Sequence, residues 1–88
     1  MKMIIAIVRD IDDERVIDAL VTKGHRVTRV ASTGGFLRRG NVTLLIGVEG
    51  ALQVQDVIDI LHKVCSPAEP NHHRATIFVV DAHHFEQI

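Results

Sequence analysis

Cysteine, proline, net charge and long apolar runs are all scarce in this 88-residue sequence. The single cysteine, Cys65, excludes an intrachain disulfide framework and a cysteine-rich zinc site. It fits a reducing cytoplasm, with core packing as its expected role. Formal net charge is -1, so no basic field exists to hold polymeric nucleic acid or an anionic membrane surface. The apolar run Met3–Val8 is followed at once by Arg9 and Asp10. It is too short for a signal-peptide core or a membrane span, and no later run is long enough, so no membrane insertion is expected. Both prolines, Pro67 and Pro70, fall in the stretch 66–74, which reads as a loop.

Apolar residues, by contrast, are plentiful. Hydrophobic types make up 47% of the chain, and mean hydropathy is +0.19. That is high for one small domain over 1–88, whose own core leaves only modest stability, and the excess predicts subunit contacts.

The pattern along the chain gives six elements. Met3–Val8 is continuously apolar and rich in β-branched residues, as in a strand buried on both faces. Asp10 or Asp12 is placed to cap a helix over about 12–23, with Asp13 and Glu14 at its positive end and Gly24 as its stop. Val16, Ile17, Ala19, Leu20 and Val21 supply its apolar face. A second strand, 25–33, sets Arg26, Thr28, Val30 and Ser32 against His25, Val27, Arg29 and Ala31. Neither side is wholly apolar, as expected at a sheet edge.

In a third strand, 41–49, Val42, Leu44, Ile46 and Val48 face a core, leaving Asn41, Thr43, Leu45 and Gly47 for a ligand or a neighbouring subunit. Val54, Val57, Ile58, Leu61 and Cys65 recur at helical spacing over 51–65. Residues 75–80 form a last strand, with a short terminal segment at 85–88. Right-handed connections applied to this order give an α+β, ferredoxin-like βαββαβ fold: a four-stranded antiparallel sheet with two helices on one face. Two helices cover one face only, while the first and last strands are apolar on both. The bare face therefore predicts a closed homo-oligomer.

Between the middle strands, Gly34, Gly35 and Gly40 permit positive φ and close backbone approach to a ligand. Taken alone they are accounted for by a tight turn. Phe36 and Leu37 add more, because an exposed aromatic–aliphatic pair at a loop tip asks for something flat to stack on, such as a purine base. Exposed amides with Arg38 or Arg39 could cradle an anion. Arg26 can pair with phosphate or lie over a base, Thr28 and Asn41 suit a purine edge, and Gly47 leaves room for a planar ring.

The run from Val27 to Val48, VTRVASTGGFLRRGNVTLLIGV, resembles the signature of the PII-like cyclic di-AMP receptors, PstA or DarA. Similarity extends to Met1–Val8 and to residues 75–80. The resemblance implies a cytoplasmic, bacterial, non-enzymatic signal-transduction protein, a PII-like homotrimer holding cyclic di-AMP at its subunit interfaces and acting on an unknown downstream protein. It implies nucleotide contacts from Arg26, Val27, Thr28, Asn41 and Gly47 on the strands and from Gly35, Phe36 and Leu37 in the turn. Phe78 and Gln87 match residues that complete the pocket in relatives. Gly24 departs from the family, standing where asparagine is frequent. The connection after Cys65 is also shorter than the ligand-responsive loop of relatives.

Other readings compete. A PII-like sensor of ATP, ADP or AMP would use the same strands. A trimeric metal-binding protein would use His72, His73, His83 and His84, but adjacent residues of an extended chain point to opposite faces, so no metal is assigned. A ligand-free structural oligomer is the third. No nucleophile–base arrangement marks an enzyme, and no cofactor is expected. A classical PII role needs a long loop between the middle strands, often with a modifiable tyrosine; this chain has a short turn and no tyrosine.

Overall fold

The computed structural model describes residues 1–30 and 40–88. Among them the order is β1 (Lys2–Arg9), α1 (Asp13–Thr22), β2 (Arg26–Val30), β3 (Asn41–Val48), α2 (Ala51–Val64) and β4 (Ala75–Asp81). The strands form one antiparallel sheet in the order β2-β3-β1-β4, with both helices on one face. This is the expected ferredoxin-like arrangement.

Alternation along the strands builds the core. Ile4, Ala6 and Val8 of β1 and Val42, Leu44, Ile46 and Val48 of β3 point to the helices, where they meet Val16 and Leu20 of α1 and Val57, Ile60 and Leu61 of α2. Two helix expectations need correction. Val21 is exposed, because it falls on the flank of the stripe that Val16 and Leu20 centre. Ile60, absent from the expected α2 stripe, is buried; with Val57, Leu61 and Val64 it follows the i, i+3, i+4, i+7 spacing of the inner face.

Helix α1 ends in a Schellman motif. Gly24 takes φ +87; its amide bonds the Val21 carbonyl at 2.9 Å, and the His25 amide bonds that of Leu20 at 3.0 Å. Asp12 occupies the N-cap position, but its side chain makes no capping bond with its own helix. Residues 85–88 form neither strand nor helix, which corrects the expected terminal segment.

Two back-face contacts hold edge strand β2. Arg29 Nη2 reaches Asp13 Oδ2 of α1 at 2.9 Å, and His25 Nε2 meets Asp56 Oδ2 of α2 at 2.7 Å. The polar residues on the inward side of this strand are thereby explained: they tie it to both helices. Their neighbours Arg26 and Thr28 are turned to the opposite face.

Candidate site on the open face of the sheet

Antiparallel register arranges the uncovered face as a grid, since directly paired residues point the same way. One row runs Arg26, Gly47, Met3, Val80; the next Thr28, Leu45, Ile5, Phe78; the third Val30, Thr43, Ile7, Thr76. Asn41 pairs with Arg9 at the far end of β3. In the first two rows the polar residues, Arg26 and Thr28, lie at the β2 edge and the apolar ones, Val80 and Phe78, at the β4 edge. Phe78 is 53% and Val80 44% exposed, a sizeable apolar area for a free surface.

Arg26, Thr28 and Gly47 share one corner of this grid. Arg26 makes no ion pair among the described residues. Gly47 leaves bare backbone beside it, over which the Met1 side chain lies; a Cβ added there would sit 3.6 Å from Met1 Cε. The other expected residues are distributed differently. Asn41 is six residues from Gly47 along β3, about 20 Å. Phe78 stands three strand spacings from Thr28, about 14 Å. Val27 turns to the helices and packs against the core, so its side chain does not face the grid. Gln87 is exposed in the terminal stretch. Gly35, Phe36 and Leu37 lie outside the described residues, as do Gly34, Arg38 and Arg39. Gly40, just after them, has the positive φ expected of a turn glycine, +95.

His62, His72 and His73 line a separate cavity of about 280 Å³ between α2, the 66–74 connection and β4. Among the described residues, no three or more His, Cys, Asp or Glu side chains converge as a metal site. Cys65 is buried. Burial raises its thiol pKa, and the Asp12 charge adds to the rise.

Sequence reasoning missed a buried polar cluster beside the base of the hairpin. Asp12 is fully buried. It accepts the Ser66 hydroxyl at 2.5 Å, the Ser66 amide at 3.2 Å and Arg15 Nη2 at 2.5 Å. Burial pushes its carboxyl pKa up, but the hydrogen bonds from Ser66 and Arg15 and the charge of Arg9 outweigh this and hold it below the usual carboxylate value. Its partner lies 54 positions away in sequence, so only the Asp-x-x-Arg spacing of Asp12 and Arg15 was available as a signal.

A family model described as "Cyclic-di-AMP receptor" matches residues 1–70. The chain belongs to the cyclic-di-AMP receptor family. The match takes in β1 to α2 and the whole β2–β3 hairpin segment, whereas Phe78 and Gln87 fall beyond it. This receptor chain is also similar to a functionally unknown protein from Pediococcus pentosaceus ATCC 25745, whose crystal structure aligns with a TM-score of 0.75 at 32% identity. The alignment covers 99% of this chain and 96% of that one, so the shared fold includes β4. No helix is long and apolar enough to cross a membrane among the described residues.

Proposed function

We propose that this chain is a non-enzymatic receptor that binds cyclic di-AMP in clefts between the subunits of a cytoplasmic homotrimer. One observation carries the assembly: Arg26 and Thr28 lie at the β2 edge of the sheet and Phe78 at the opposite, β4 edge. Within one chain they are too far apart to hold the same base. A ring of copies, each presenting its β2 edge to the next one's β4 edge, brings them together and buries the apolar half of the open face. Burying a large side chain fully yields about 1.5–3 kcal/mol, so Ile5, Ile7, Phe78 and Val80 jointly favour association.

The polar corner supplies the recognition. Arg26 gives a planar cation for phosphate or for stacking. Gly47 gives a flat shelf, and Thr28 and Asn41 give donors and acceptors for a purine edge. A ligand with two bases and two phosphates matches a surface on which polar groups are spread over about 20 Å better than a mononucleotide does. Gly35, Phe36 and Leu37 belong to the same reading through the family signature, and Gln87 through the resemblance of the C-terminal stretch to relatives.

Isothermal titration calorimetry with cyclic di-AMP, and with ATP, AMP and cyclic di-GMP as controls, tests this. The expected result is tight, selective binding of cyclic di-AMP near one ligand per subunit, greatly weakened by Arg26→Ala or Asn41→Ala. Preference for ATP or AMP, or no binding of any nucleotide in this and an orthogonal assay, overturns the proposal.

A further inference from the structure

Arg9 has its backbone in one segment and its guanidinium in another. As the last residue of β1 it lies opposite Asn41, and the following amide, Asp10, donates to the Gly40 carbonyl at 2.8 Å. The end of β1 therefore fixes the base of the β2–β3 hairpin. Arg9 Nη2 donates to the carbonyls of Ser66 at 2.6 Å and Pro67 at 3.0 Å, so the same residue holds the start of the connection between α2 and β4. Asp12 closes the circuit. Its buried carboxylate holds the Ser66 hydroxyl and amide and lies 3.5 Å from Arg9 Nη2. From the far end of the connection, Arg74 Nε donates to the same Ser66 carbonyl at 3.1 Å.

A buried carboxylate is tolerated only while its partners stay in place. Ser66 cannot leave alone, because its departure takes the hydroxyl and amide bonds from Asp12, leaving the buried carboxylate only Arg15 and Arg9, and withdraws an acceptor from Arg9, whose backbone is paired with Asn41. Such a cluster is closed or open rather than gradually deformed.

We propose that Arg9, Asp12 and Ser66 are positioning residues that couple the hairpin base to the 66–69 segment, holding Asn41 for the nucleotide and passing a change at either segment to the other. The response to nucleotide rests on the receptor reading above; the mechanical link does not.

Residue-resolved hydrogen exchange on the full chain without ligand tests the link. Ser66→Ala is expected to raise exchange about five- to tenfold at 66–69 and also at the Asp10 and Val42 amides, the ones that pair β1 with β3 beside Arg9. Ser66→Thr, which keeps the hydroxyl, is expected to restore it. Faster exchange confined to 66–69, or no change at any of these positions, overturns the link. Should Ser66→Ala fail to fold, Arg9→Lys gives the same readout, because a lysine keeps the charge but lacks the fork that serves two carbonyls. A second arm adds saturating cyclic di-AMP, which is expected to protect 66–69 in the wild type and not in Ser66→Ala. Binding without that protection overturns the coupling to ligand. Absence of binding to the wild type overturns the receptor reading instead, and the ligand-free arm still decides the link.

Discussion

Arg26 of β2 stands directly across from Gly47 of β3 on the open face of the sheet. A long cation opposite a residue with no side chain makes a flat recess bounded by a guanidinium, over which the Met1 side chain lies and from which it would move aside for a ligand. That recess can be filled without disturbing the core, because every core residue of β3 points the other way.

Gly47→Ala separates folding from binding. A Cβ there makes only ordinary contact with Met1, and reducing the freedom of the unfolded chain stabilises by about 0.4–1 kcal/mol when the geometry is tolerated. Thermal unfolding should be unchanged or slightly later, while cyclic di-AMP affinity falls at least about tenfold, roughly 1.4 kcal/mol. Unaltered affinity places the ligand elsewhere.

Phe78→Glu tests the assembly. The side chain is about half exposed in one chain, so a single folded subunit should tolerate the charge. An assembly that buries it should not, because an unpaired carboxylate would lose its water. Analytical ultracentrifugation should find a trimer for the wild type and a monomer with native helical circular dichroism for the variant. A monomeric wild type at micromolar concentration contradicts the assembly.

Asp12 ties stability to acid. Its folded pKa lies below the usual carboxylate value, so its contribution is fully present above the unfolded value, about 3.9. It is lost as pH falls through the lower folded value. Arg9 from β1, Arg15 from α1 and Ser66 from the connection are the groups that face it. Denaturant midpoints should be flat in this group's contribution from pH 5 to 8 and fall below about pH 4. Asp12→Asn should be less stable at pH 7 and lose less on acidification. Parallel curves for the two proteins refute the assignment.

Cys65 should be inert in the folded chain. Its thiol is buried and its pKa raised, first by desolvation and then by the Asp12 charge, so little thiolate is available near neutral pH. Alkylation by a maleimide at pH 7 should be slow in native buffer and fast in denaturant. Equal rates in both conditions show that the second helix opens readily.

Strand β3 was readable because its alternation is complete: Val42, Leu44, Ile46 and Val48 all point inward, as the sequence pattern required. The continuous apolar run of β1 was harder to interpret. The chain buries Ile4, Ala6 and Val8 and leaves Met3, Ile5 and Ile7 half-buried, so the run describes a strand with one face in the core and the other on the open face of the sheet. The face assignment of Arg26, Thr28, Asn41 and Gly47 followed from period two alone. Their separation across the sheet did not, because distance between strands depends on the order β2-β3-β1-β4. The polar His25 and Arg29 fit the pattern of an edge strand, but their ties to Asp56 and Asp13 of the two helices depend on partners that no local pattern specifies. The local pattern offers Asp10 or Asp12 as a helix cap; Asp12 takes that place, but its physical role is set by Ser66, a residue no local pattern connects to it.

The most direct test is a crystal structure of the cyclic di-AMP complex. Ligand on the open face is predicted, with one base against Gly47 and Arg26 of one copy and Phe78 supplied by the neighbouring copy of a trimer. Ligand bound on the helical face, or in the cavity lined by His62 and His72, would contradict the account.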